Sequence, residues 1–265
     1  VEFVYSLAPH LQLKLVSLAE ENPSRVELLF DPDAATRARA FRGYVFRHEK
    51  GYPDEPVVVL GLQDSCREVQ QDALQMAAKA AEATPAVVEA LLLILQDADP
   101  DEWFMLPVRW GRRTVLRDAI DCLLAFGSPH GAPGLLKLLD VPSHDRNRHG
   151  ILCKLLIASR EKRAVLNLIR APRDMRAIPF HRGQTILRST CPADQLLRVL
   201  VRLTEQEERT YRFVVAGECD ELVGFEGIDD REAAWRRFDA WWKENKNKPP
   251  YAEATPLPVG QGVDR

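Results

Sequence analysis

The residues of this chain best equipped for chemistry are the arginines of its middle. Arg109, Arg112, Arg113, Arg117, Arg146, Arg148, Arg160, Arg163 and Arg170 fall in one stretch, with Trp110 among the first of them. A guanidinium presents a planar fork of donors that matches a carboxylate or a phosphate bidentately, so the set is a candidate surface for an anionic partner. Lys162, Arg173, Arg176, Arg182 and Arg188 extend the run. Positions 1–102 hold 9 Lys/Arg against 18 Asp/Glu, positions 103–190 hold 16 against 6, and positions 191–265 hold 11 against 15. A net charge of only −3 therefore conceals a basic centre between acidic ends. The alternative use of these arginines is internal: pairing with the acidic flanks, or simple solvation. Acidic ends oppose wrapping along a duplex, whose affinity depends on neutralised phosphates. The expected partner is a protein with an acidic surface or segment, and nucleic acid is the second choice.

Other side chains offer less. His144–Asp145 and His149 can ligate a metal at i and i+5, but no further ligand is placed to complete a shell, and a solvated helix start is the simpler reading. The five cysteines, Cys66, Cys122, Cys153, Cys191 and Cys219, form no CxxC pair. Cys122 and Cys153 sit inside apolar helical patterns, as small core residues would. Their odd number and wide spacing favour free thiols in a reducing compartment. The glycine-rich run Gly127–Gly134, GSPHGAPG, lacks a lysine and follows a helical pattern, so it is an inter-helix turn rather than a phosphate loop. There is no GxSxG and no GxGxxG. No catalytic residue, metal or cofactor is expected.

Short amphipathic helices position these residues. Val115, Leu116, Ala119, Ile120, Leu123 and Leu124 recur at intervals of three and four and form one helical stripe, which Gly127 ends. Ser128–Pro129 opens a second segment carrying Leu135, Leu136, Leu138 and Leu139, so a helix pair spans about Thr114 to Asp140. Ile151–Leu156 with Val165–Ile169 repeats the pattern, as do Val69–Ala77 and Val87–Leu95 upstream. First-series clusters centre on Leu74, Leu116, Leu152 and Leu187, and second-series clusters on Leu92, Leu136, Leu166 and Leu197. Thr84–Pro85 reads as a helix start, with threonine capping and proline in the first turn, where its missing amide hydrogen is harmless. Most prolines fall at such joints, as short helices require. Val57–Leu60 stands alone as a strand-like run, but its place before Asp64 and a clear helix makes it the second helix of an early pair. Recurrence of helix pairs at about 30–45 residues marks a stacked solenoid, a class that usually presents surfaces.

The segment LLFDPDAATRARAFRGYV, Leu28–Val45, resembles a HEAT-like repeat of the bacterial, PBS-lyase type. The resemblance rests on Asp31-Pro32-Asp33 at the joint, Arg37, and the apolar pair Ala40 and Phe41. Gly61–Ala81 is similar at Asp64, Val69, Ala73 and Leu74. Repeats from Arg146 onward are similar in rhythm only, and as a fold pattern the likeness covers roughly residues 10–245. It implies an all-α, right-handed α-solenoid over residues 1–246. DREAAWRRFDAWWKEN, Asp230–Asn245, resembles the terminal capping helix of such proteins, with Trp235, Phe238 and Trp241 or Trp242 on one face. Residues 247–265, rich in proline, are expected to be extended or disordered unless they pack along the solenoid.

Relatives by fold include enzymes. The His-Glu pairs of deoxyhypusine hydroxylase resemble His48–Glu49, but that di-iron site needs several pairs and this chain has one. HEAT-like DNA glycosylases use a basic concave surface with tryptophans and an aspartate; Trp103, Trp110, Arg112, Arg113 and Asp118 resemble that composition without a shared motif. HEAT-like phycobilin lyases share the fold and no diagnostic residue. The expected function is a non-enzymatic scaffold or subunit of a larger bacterial assembly, with the nucleic-acid or glycosylase-like reading as the alternative. No run approaches the ~20 apolar residues that cross a bilayer. The chain starts at Val1 rather than methionine, so an upstream piece, a signal peptide included, is expected to have been removed. A cytoplasmic location is the working expectation.

Overall fold

A computed structural model of the chain describes residues 9–21, 23–47, 54–79, 83–105, 114–140, 146–171, 173, 178–182, 185–216 and 222–258. The chain is mostly helical, and it divides into two compact units. The first comprises Val1–Asp99 and Arg109–Phe126, the second Pro100–Val108 and Gly127–Arg265. The pair expected over Thr114–Asp140 is thus shared out, its first helix in one unit and its second in the other.

In the first unit lie α1 (Pro9–Glu21), α2 (Pro23–Leu28), α3 (Ala34–Arg47), α4 (Glu55–Leu62), α5 (Arg67–Ala77) and α6 (Pro85–Asp97). Beyond α7 (Pro100–Met105), which belongs to the second unit, α8 (Val115–Phe126) completes it. Helix α3 packs on α5 and α5 on α8, while α1 packs on α4 and α4 on α6. These are two rows of helices. The run Val57–Leu60 is helical, and α4 is buried from Pro56 to Leu62. A helix apolar on every side must be enclosed on every side. Gly61 makes that possible, because a Cβ there would approach Phe41 Cε1 to 2.5 Å and Ala73 Cβ to 2.7 Å. Phe41, Val69, Ala73 and Leu91 are fully buried in this core. Burying one large apolar side chain contributes about 1.5–3 kcal/mol. As its sequence predicts, Thr84 caps α6: its hydroxyl accepts from the Val87 amide at 3.4 Å, and Pro85 occupies the first turn.

The second unit contains α9 (Ala132–Asp140), α10 (Arg146–Ser159), α11 (Ala164–Leu168), α12 (Pro192–Leu203) and α13 (Ile228–Asn245). Helix α10 packs on α9 and α12, and α11 also packs on α9 and α12. Gly127, at φ 53°, leads into this unit in the left-handed region, with its would-be Cβ 2.9 Å from the Ala158 carbonyl oxygen. Glycine alone takes that turn without penalty. Helix α13 lies on α12 with Trp235 and Phe238 buried and Trp241 and Trp242 half-buried.

Two short antiparallel strand pairs accompany the helices in this mostly helical chain. Strand β1 (Ile178–Arg182) pairs antiparallel with β2 (Thr185–Thr190), and β3 (Val214–Ala216) with β4 (Leu222–Gly224). The cluster centred on Leu187 is therefore a strand, not a first-series helix. Thr185, Ile186 and Thr190 are β-branched, so this stretch suits a pleated ribbon better than a helix, and Pro179 is tolerated because each strand of a two-stranded ribbon is an edge.

Candidate partner-binding surface

The predicted arginines divide by what their side chains touch. Arg117, on α8, donates to Asp121 one turn on at 3.0 Å. Arg148 is half-buried on α10; its Nη2 reaches the Leu138 carbonyl at 3.5 Å, and its guanidinium lies 5.9 Å from the Trp103 ring centroid. It ties α10 to the preceding elements of its unit rather than standing in water. Arg160, Arg163 and Arg170 are exposed and bracket α11. Arg163 forms a two-pronged pair with Glu161, at 3.0 and 2.9 Å, and that pairing holds the Glu161 carboxyl below its ordinary range. Arg160 takes a left-handed conformation, φ 54°, that ends α10. Arg146 begins α10. Arg109, Trp110, Arg112 and Arg113 lie outside the described residues, as do His48–Glu49 and His144–Asp145.

Within this unit basic and acidic side chains also meet. Lys162 pairs with Glu205 at 2.8 Å, and Arg173 grips Asp239 with both Nη atoms, at 2.9 and 2.7 Å, while lying 4.0 Å over the Trp235 ring. Glu208 accepts from Arg198 at 2.7 Å and pairs with Arg202 at 2.5 Å. Part of the positive charge read from the sequence is thus spent on internal acids.

Two stronger pairs were invisible as such in the sequence. Arg231 on α13 donates Nε and Nη2 to the two oxygens of Asp194 on α12, at 2.7 and 2.9 Å, and the Cys191 amide donates to the same carboxylate at 2.9 Å. The side chains are 4% and 0% exposed. In the first unit Arg37 donates to both oxygens of Asp64, at 2.7 and 2.9 Å, and to the Asp31 carbonyl at 2.7 Å, while Asp64 accepts from the Cys66 amide. One arginine thereby fastens the joint before α3 to the joint before α5. Nothing in the spacing of Asp31, Arg37 and Asp64 shows this meeting; only the fold brings them together.

The remaining chemistry is quiet. Burial pushes the thiols of Cys122, Cys153 and Cys191 up, to about 11, 12 and 12. Such thiols carry almost no thiolate near neutrality and are poor nucleophiles. His149 is half-buried on α10, and among the described residues no three His, Cys, Asp or Glu side chains converge to hold a metal. Trp103 is buried in the second unit, whereas Asp118 belongs to the first, so two members of the glycosylase-like composition sit in different units.

No family model, curated protein or solved structure matches this chain. Its surface must therefore be read on its own chemistry. Among the described residues no helix is long and apolar enough to cross a membrane.

A last contact joins α11 to the C-terminal segment. The Asn167 amide nitrogen donates to the Leu257 carbonyl at 3.0 Å, and the Leu257 amide donates to the Asn167 oxygen at 2.9 Å. Leu257 is buried, as is Tyr251, whose ring meets Trp241 and Trp242 edge-on. Within the tail, Tyr251 and Leu257 are buried while Ala252, Glu253, Thr255 and Pro258 are exposed.

Proposed function

We propose that this chain is a non-enzymatic interaction scaffold of the HEAT-like, right-handed α-solenoid type, capped by α13. In this reading it acts in the cytoplasm, within a larger bacterial assembly, and holds an acidic protein surface through the basic residues of its centre. The observation that carries the proposal is the exposure of Arg160 and Arg170 on either side of α11, in the stretch where basic residues outnumber acidic ones. Two rows of helices in the first unit, each packed on its neighbour, support the repeat reading. Exposed arginines at the ends of a short helix can form charge-assisted bonds with an acidic partner.

The test compares two defined anions. A fluorescent oligo-glutamate peptide and a 20-base-pair duplex are titrated against the protein across a salt series. The proposal expects capture of the peptide, weakened at least about tenfold by joint reversal of Arg109, Arg112 and Arg113, or of Arg160 and Arg170, to glutamate. Unchanged capture in both variants sinks it. Tighter, steeply salt-dependent binding of the duplex moves the function to nucleic acid.

A further inference from the structure

We infer that the Asn167 side of α11 is a docking site for an extended Pro-Leu-Pro segment of a partner protein, and that the chain's own tail occupies it in competition. The tail itself displays the ligand chemistry. Residues 254–258 form no helix, strand or turn, and end Thr255-Pro256-Leu257-Pro258. Both prolines lack an amide hydrogen, so within Pro-Leu-Pro the Leu257 amide is the single backbone donor. Asn167 accepts from that donor at 2.9 Å and returns a bond to the carbonyl of the same residue at 3.0 Å. The leucine side chain between the two bonds is 5% exposed, while Thr255 and Pro258 face solvent. A reciprocal amide clasp reads main chain, the buried leucine supplies the anchor, and flanking prolines hold the ligand extended before it binds.

Nothing in the clasp requires that the peptide be covalently attached. Attachment supplies concentration instead. Tyr251, seated on Trp241 and Trp242, pins the tail six residues before Leu257, so the tethered segment stays close to Asn167. A short tether gives an effective concentration of about 1 mM, so for a free peptide of roughly 100 μM affinity the tail weakens binding about tenfold. The site is then a surface that opens to a partner when the tail is displaced. Because the ligand is apolar and uncharged, this inference does not rest on the arginine reading, and its test leaves that reading untouched.

The experiment uses the full chain and a blocked, uncharged fluorescent peptide, Ala-Thr-Pro-Leu-Pro, read by anisotropy. Leu257→Pro removes both the buried side chain and the donated amide hydrogen, and Leu257→Asp removes the anchor alone; both release the tail. The peptide is expected to bind either variant about tenfold more tightly than the unaltered chain. Adding Asn167→Ala, or the isosteric Asn167→Asp that loses the donor, is expected to weaken that binding about tenfold again. A control peptide with Asp in place of the leucine is expected not to bind. Thermal unfolding of each variant checks that the fold persists. The inference is overturned if the released-tail variants bind no peptide, bind it no better than the unaltered chain, or bind it equally well with Asn167 altered.

Discussion

Arg231→Met tests whether burial or geometry sets the strength of an ion pair here. Arg231–Asp194 and Arg173–Asp239 are both two-pronged, with bonds of 2.7 and 2.9 Å, but differ in exposure: 4% and 0% against 37% and 45%. With Arg231 gone, Asp194 keeps only its contacts to Cys191, and its charge stays out of water. An orphaned buried charge of this kind costs about 3–5 kcal/mol. Arg173→Met exposes its partner to solvent, so the pair contributes at most about 1 kcal/mol. Its stacking on Trp235 adds roughly 0.5–1 kcal/mol, for a total below about 2 kcal/mol. Equilibrium urea unfolding followed by tryptophan fluorescence measures both. Combining Arg231→Met with Asp194→Asn removes the stranded charge and keeps an acceptor for the Cys191 amide, so the double variant is expected to recover at least about 1 kcal/mol over the single one. If Arg231→Met costs no more than Arg173→Met, or the second substitution recovers nothing, desolvation is not what makes the Asp194 pair strong and the reasoning fails.

Two further outcomes follow from titratable groups. Burial raises the Glu208 carboxyl, but bonds from Arg198 and Arg202 outweigh it and hold the group below its ordinary value. Its stabilising effect is therefore present above the unfolded pKa of about 4.3 and lost as pH falls through the lower folded value. Glu208→Gln should lower the melting temperature at pH 7 and match the unaltered chain near pH 2; a pH-independent difference in a calorimetric series would contradict this. In a Cys219→Ser background, an aromatic disulfide reagent should modify half-exposed Cys66 first, and reach Cys122, Cys153 and Cys191 only on unfolding. Equal rates at all four thiols under native conditions would refute the burial assigned to them.

Much of the helical grammar was readable in order. Thr84–Pro85 starts α6, Gly127 follows the end of α8, and the apolar stripe of Leu116, Ala119, Ile120 and Leu123 is the buried face of α8. These are local effects: a cap, a left-handed turn and a period of 3.6 each act within a few residues of chain. Where local signals conflict, the reading failed. Leu187 continues the spacing of the helical clusters, but its β-branched neighbours favour the ribbon that forms. The candidate surface was legible as composition only. Arg148 and Arg160 are the same residue type twelve positions apart, yet one lies half-buried near Trp103 and the other faces solvent.

Local order along the chain, then, settled which segments become short helices and where basic charge concentrates, because propensity, capping and charge count need only neighbours in sequence. Tertiary structure decided which charges remain available. Asp194 meets Arg231 across 37 positions, Arg37 meets Asp64 across 27, and Asn167 meets Leu257 across 90. No periodicity encodes such meetings. They arise when apolar faces stack and carry their polar flanks together, and burial then turns an ordinary carboxylate, guanidinium or amide into a strong and specific contact.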